Sequence, residues 1–246
     1  LFSIFLFVLT TSTYAYEKGE VLLRTGMALM EPNASSEPLV VSSPSAGLAP
    51  LSLDSFLGTE TGLGVQNSMA IAGSISYLLG SNWGIETLIG LPAGLKVTAK
   101  GLSALGVDEV GTVDVLPLTA SVQYYPRYRS SAFQPYFGFG AYYAYFGEVR
   151  LDNELKAVFA FQDGAFDFES SIGYTMNGGI DWQLKGQWFA SFSFYYIHLE
   201  TNIQADMDPN FYLALASGSA TPVAGELETK VEADTMIYFV TAGYRF

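Results

Sequence analysis

From Glu20 onward the chain alternates apolar and polar positions with a period of two over about eight stretches, the signal of strands with one face in an oily medium rather than of helices. The stretches run Glu20–Glu31, Gln66–Leu79, Trp83–Lys100, Gly111–Pro126, Pro135–Arg150, Ser170–Leu184, Trp188–Asp206 and Val231–Phe246. Period two sorts each into faces. In the last, Met236, Tyr238, Val240, Ala242, Tyr244 and Phe246 share one side, while Ile237, Phe239, Thr241, Gly243 and Arg245 share the other. The second sets Met69, Ile71, Ile75, Tyr77 and Leu79 against Ser68, Ala70, Ala72, Ser74 and Ser76, and the fourth repeats the split. The bulky, nearly uncharged side belongs against acyl chains, and the side with hydroxyls, amides and arginines belongs inside a closed cylinder.

The connections are of two kinds. Gly80–Asn82, Arg127–Gln134 and Lys185–Gln187 are tight and rich in turn residues, whereas Pro32–Val65, Gly101–Val110, Leu151–Glu169 and Met207–Lys230 are longer. Asn153–Gln162 reads as a short helix within the third long connection. Aromatics gather beside the tight turns: Tyr77, Trp83, Tyr124, Tyr125, Tyr128, Tyr136, Trp182, Trp188, Tyr244 and Phe246, as in the interfacial belt of a membrane barrel. The expected fold is all-β, an eight-stranded antiparallel transmembrane β-barrel with short periplasmic turns and long extracellular loops, formed by residues 16–246 as one domain. A soluble barrel would reverse the faces, apolar in and polar out.

Composition narrows the function. Of 246 residues 24 are acidic and 11 basic, a net charge of −13 that leaves no footprint for holding nucleic acid. Half the residues are apolar and only 14% charged, against about a quarter in a soluble domain, so the excess needs a membrane. No run after the N-terminus is long enough for a spanning helix. The absence of cysteine excludes a disulfide scaffold or thiolate-held metal, and no cofactor is expected. Leu1–Leu9, apolar apart from Ser3, followed by Thr13-Tyr14-Ala15, reads as the residue of a secretory signal over positions 1–15, with the mature chain starting at Tyr16.

The terminal Ala242-Gly243-Tyr244-Arg245-Phe246 resembles the insertion signal of Gram-negative outer-membrane barrels, with Tyr244 and Phe246 as the aromatic pair that the barrel-assembly machinery would read. Local motifs go further. Gly19-Glu20 leading into Arg24-Thr25-Gly26, Pro32-Asn33, Asn82-Trp83-Gly84-Ile85-Glu86, Leu116-Pro117-Leu118-Thr119, Gln134-Pro135-Tyr136-Phe137-Gly138-Phe139-Gly140 and Gly179-Ile180-Asp181 together resemble the OmpW family of small outer-membrane channels over the whole mature chain. Its first and fourth long connections exceed the family's usual length. The resemblance implies a narrow, hydrophobic interior that passes small apolar solutes and discharges them through the wall into the bilayer. It also implies a two-residue apolar constriction, which the motifs carry onto Leu88 and Ile172. Parity along Ser170–Leu184 points Ile172 towards lipid instead.

Inward parity places Arg24, Glu86, Asp181 and Arg245 in a polar plug at the lower end, carboxylates being needed beside arginines that cannot be buried alone. Higher on the same face stand Met30, Leu88, Tyr142, Phe146, Ile197, Ile237 and Phe239, an apolar upper lumen. Pro92 and Pro117 fall at similar heights on adjacent strands, and each removes a ladder donor from a sheet without edges. They mark either a lateral seam or a pair of tolerated bulges. Two other functions compete. His198, the one histidine, takes outward parity without a matching outward serine, which argues against a hydrolase. Acidic loop residues such as Asp54, Glu60, Asp108, Glu109, Asp152, Glu226 and Glu228 allow an adhesion or receptor role, or cation bridges to lipopolysaccharide phosphates, although no loop has the ligand spacing of a calcium site.

Overall fold

The computed structural model describes residues 16–43, 48–103, 106–126, 132–159, 161–207 and 226–246. The signal segment 1–15 and Tyr128 therefore lie outside the described residues. The strands are β1 (Val21–Ser36), β2 (Val40–Ser43), β3 (Leu48–Ser52), β4 (Gly62–Val65), β5 (Ser68–Leu78), β6 (Trp83–Gly90), β7 (Ala93–Lys100), β8 (Glu109–Tyr124), β9 (Phe133–Leu151), β10 (Phe161–Phe168), β11 (Ser171–Gln183), β12 (Trp188–Met207) and β13 (Glu226–Arg245). Two short helices, α1 (Leu53–Leu57) and α2 (Asn153–Phe159), lie in the long connections.

Eight strands close an antiparallel ring, β1-β5-β6-β8-β9-β11-β12-β13 and back to β1. Closure matters because a ring has no unpaired edge to expose within a bilayer. The ring's outer face carries exposed Met27, Ile71, Ile89, Phe137, Met176 and Val240, while the opposite parity of the same strands is buried. Interior and exterior thus follow the alternation read from the sequence, oily side out. At the short-turn end Trp83 meets Tyr124 edge to face, Phe133 stacks on Trp182, and Trp188 meets Tyr244 edge to face, forming the outer aromatic belt. Tyr125 and Tyr136 correct that reading. They are 1% and 3% exposed and point inward, because Tyr125 shares the parity of Gln123.

Several boundaries also differ. The third stretch is two strands, β6 and β7, broken at Leu91-Pro92 where the proline withdraws its N–H. β1 continues five residues past Glu31, and β13 starts five before Val231, because the β12–β13 ribbon stays in register from Trp188↔Tyr244 to Asp206↔Glu226. About ten tilted residues suffice to cross a membrane. The upper half of each 20-residue ribbon strand therefore stands clear of it, and its outward face turns polar from Asp234 upward. The helix read at Asn153–Gln162 is present as α2, followed by β10, which joins the ribbon at Phe168↔Ile203.

Candidate functional site: an ionic floor beneath an apolar column

Near the short-turn end the bore is filled by a connected polar layer. Arg24, fully buried on β1, donates Nε and Nη2 to the two oxygens of Asp181 on β11 at 3.2 and 2.6 Å. Its Nη1 donates to Ser76 Oγ at 2.7 Å and reaches Glu86 Oε1 at 3.5 Å. The rings of Tyr136 and Phe189 stand 5.1 and 5.4 Å from the guanidinium carbon. Such a forked, charge-assisted pair between aromatic planes is the geometry arginine is suited to.

Glu86 is satisfied from three other strands. Gln123 Nε2, Asn177 Nδ2 and Tyr195 Oη donate to its Oε2 at 2.6, 3.0 and 3.1 Å. Tyr125 donates to Gln123 Oε1 at 2.6 Å, and Tyr16, just before β1, closes the layer from below by donating to Asp181 Oδ2 at 2.6 Å. The layer ties β1, β5, β6, β8, β11 and β12 together across the bore. Phe189 fits only because it lies over Gly243, where a Cβ would stand 2.2 Å from the ring. Arg245, 7% exposed, is one step nearer the rim, its Nε 3.7 Å from Glu20 Oε1. No continuous water-filled bore can run through this layer, since Arg24, Glu86, Gln123, Asn177, Asp181 and Tyr195 are all at most 4% exposed.

Above the floor the interior becomes hydrocarbon. Met30, Leu88, Tyr142, Ile197, Ile237 and Phe239 are buried in one cluster, with Phe146 and Leu199 packed against it. Among the described residues three small cavities lie along it. The lowest, about 20 Å³, is lined by Ala28, Met30, Ala70, Ala72, Leu88, Gly90, Leu91, Ala93, Pro117 and Ile237. A middle one of about 50 Å³ lies among Leu95, Val113, Phe146, Phe168, Leu199 and Ala233. The third, about 20 Å³, brings Leu53 of α1 and Leu155 of α2 over Leu63, Phe166 and Ile203. Leu63 and Ile203 line both upper spaces, which are therefore neighbours. Each is smaller than a small-molecule pocket, so a solute passes only as these apolar side chains part.

Ile172 is a correction to the inner constriction. It is 78% exposed on the outer face, as its parity requires, so Leu88 stands in the column without it. Pro92 and Pro117 both fall in the interval where the β6–β8 register has ended at Ile89↔Leu118 and the β7–β8 register has yet to resume at Ala93↔Val115. The interruption is wider towards the second strand. There the last bonds are Leu91 N to Ile71 O and Gln66 N to Lys96 O, and Asn67–Ala70 face Pro92–Leu95 without ladder pairing. Behind this gap sits the lowest cavity, whose lining mixes the small Ala70, Ala72, Gly90 and Ala93 with Met30, Leu88, Leu91 and Ile237. Tyr244 and Phe246 lie outside, packed edge to face at 4.7 Å beside Trp188. His198 Nδ1 is bound to Asp234 Oδ1 at 2.7 Å.

Parity alone could have supplied Asn177, Phe189 and Tyr195, which share the inward side with Asp181 and Ser193. Tyr16 carried no such signal, because it precedes the first strand.

The model of the OmpW family matches residues 17–246. The outer membrane protein W of Vibrio cholerae is 26% identical over 233 residues, covering 95% of this chain and 91% of that one. The crystal structure of the outer membrane protein OprG from Pseudomonas aeruginosa superposes with a TM-score of 0.73 at 23% identity, covering 94% of this chain and 98% of that one. The solid-state NMR structure of the outer membrane protein AlkL in lipid bilayers gives 0.59 at 21% identity, covering 97% and 95%. With an oily exterior, a closed ring and a match over nearly its full length, the chain is an outer-membrane β-barrel that belongs to the OmpW family.

Proposed function

We propose that the protein carries small hydrophobic molecules passively from the cell exterior into the outer membrane. The long-connection end faces outward and the tight turns face the periplasm. A solute enters among the loop elements, descends the apolar cavities, meets the ionic floor and leaves sideways through the gap beside Pro92. The observation that carries this reading is the vertical order of the interior, an apolar column above a hydrogen-bonded charged layer. A solute that buries about 200 Å² of apolar surface gains roughly 5 kcal/mol in the column. Crossing the floor would require parting Arg24 from Asp181 with no water to replace either. Moving between Ala70, Gly90 and Ala93 parts small side chains in a stretch of wall where the ladder is interrupted and Ser68 Oγ donates across to Gly94 O at 3.3 Å.

The experiment is transfer of an apolar fluorophore into vesicles that carry the barrel. Leu88→Trp, which fills the lowest cavity, is expected to slow transfer at least tenfold, while shortening the long connections leaves transfer largely intact. Loss of transfer on loop shortening, with Leu88→Trp silent, would move the function to the loops and favour a receptor or adhesin.

A further inference from the structure

The upper part of β9 has a free edge. β9 stays in register with β8 as far as Gly111↔Leu151, but with β11 only as far as Ala144↔Ser171. β10, which follows α2, pairs with β12 instead, so residues 145–151 have no strand partner on that side among the described residues. At this edge, against α2 and β10, lies a cleft of about 560 Å³ lined by residues 147–151, Lys156 and Phe166. Unlike the spaces of the column, it is of small-molecule size. The last outward aromatics of β9 are Tyr143 and Tyr145, and Glu148 and Arg150 follow them, so the cleft stands above the apolar band.

A bulge sets its chemistry. Facing Asp114, β9 carries two residues, Gly147 and Glu148, where β8 carries one. Such an insertion re-aims the side chains that follow. Phe146 packs on the apolar cluster inside, and in an unbroken strand Arg150, four residues on, would face the bore as well. Instead its side chain is 49% exposed and Leu151 is buried. Gly111, at φ +149°, lets β8 approach so closely here that a Cβ would stand 2.2 Å from Arg150 O. Arg150 donates Nη1 and Nη2 to the two oxygens of Asp114 at 3.1 and 2.7 Å, which fixes the guanidinium. Its contact with Glu148 is looser, Nη1 to Oε2 at 3.3 Å from a side chain that is 73% exposed. The last turn of α2 supplies Lys156, and the chain entering that helix is tied to β8 by Asp152 N donating to Val110 O at 2.9 Å. Leu151 and Phe166 give the cleft its carbon surface, and Phe166 packs edge to face on Phe161 at 4.9 Å. Phe166 also lines the topmost cavity of the column, so cleft and column share it as a wall.

We propose that this cleft binds single-chain amphiphiles with an anionic head, the carboxylate or phosphate on Arg150 and Lys156 and the hydrocarbon on Leu151 and Phe166. This rests on the uptake reading and gives it a substrate class and a first stopping point. The incoming anion takes the place of Glu148 on the guanidinium, so a charge-assisted bond is exchanged rather than lost. Two cations in one cleft stand out in a chain of 24 acidic and 11 basic residues, whose overall field repels anions. The occupant is a free amphiphile from the medium, because the space takes one chain and not a many-chained glycolipid of the outer leaflet.

The test measures dodecanoate binding to the unaltered barrel in phosphatidylcholine nanodiscs, with dodecyltrimethylammonium as the cationic counterpart. One saturable dodecanoate site per barrel is expected, and none for the cation. Arg150→Gln with Lys156→Gln is expected to weaken dodecanoate binding about tenfold. Glu148→Gln, which removes the competing carboxylate, is expected to tighten it about threefold. Glu228→Gln removes the same charge from the β12–β13 ribbon and is expected to leave binding unchanged. Hydrocarbon transfer into vesicles, expected to be unaltered in every variant, shows that each barrel is intact. Dodecanoate binding that ignores the Arg150 and Lys156 substitutions, or that Glu228→Gln tightens as much as Glu148→Gln, overturns the site, and continued hydrocarbon transfer leaves the uptake reading standing. Binding as expected, with no hydrocarbon transfer by the unaltered barrel, overturns the uptake reading and keeps the site. Lipopolysaccharide in the nanodisc that displaces dodecanoate assigns the cleft to the outer-leaflet lipid and overturns the free amphiphile as its occupant.

Discussion

Arg24 is the residue on which the floor depends, because among the described residues it is the cation that pairs with both buried carboxylates, Asp181 and Glu86. Arg24→Met leaves Asp181 and Glu86 without their counter-charge and is expected to cost about 3–5 kcal/mol, the usual penalty for halving a buried ion pair. The midpoint of urea unfolding in detergent micelles reads this loss. Adding Asp181→Asn and Glu86→Gln to Arg24→Met should restore much of the stability, since removing both signs of charge is far cheaper than removing one. The inward positions of Arg24, Glu86 and Asp181 were legible in the sequence, because period two assigns each to the side shared with serines and glutamine. Their partnership was not. Arg24 and Asp181 lie on β1 and β11, which are not neighbours in the ring, so only the narrow bore brings them together. Tyr125 and Tyr136 were misread for a simpler reason: tyrosine suits both an interfacial belt and a hydroxyl-bearing plug, and parity had to decide.

The strands themselves were legible wherever one face met lipid and the other the bore. Beyond the membrane the contrast reverses, with the outward face of the β12–β13 ribbon polar and Ile203, Ala205, Leu227 and Val231 buried inside; the end of β12 was read within one residue, while the start of β13 at Glu226 was placed five residues late. Pro92 announced itself chemically, but its consequence was underestimated. It divides a strand and also frees the neighbouring side of the ladder over Asn67–Ala70. Replacing Pro92 and Pro117 with valine restores two donors and is expected to slow hydrocarbon transfer severalfold, with barrel stability equal or higher. Unchanged transfer in vesicles would show that the interruption is a tolerated bulge.

At the scale of the whole molecule, the chain divides its interior by height. The lower end is ionic and densely hydrogen-bonded, the upper is apolar with small cavities, and the wall beside the apolar part includes the interrupted ladder next to Pro92. An eight-strand ring has room for side chains or one small ligand, so any passage must be single-file and dry. The same division sets what must not happen: ions cannot follow the solute. The measurement that tests this most directly records both at once, in vesicles holding the barrel, an apolar fluorophore that brightens on reaching the bilayer and the ionic conductance of the same membrane. The expected result is rapid brightening with conductance at the level of protein-free membrane. Steady ion conductance through the unaltered barrel, or fluorophore appearing in the vesicle interior before the bilayer, would contradict the account.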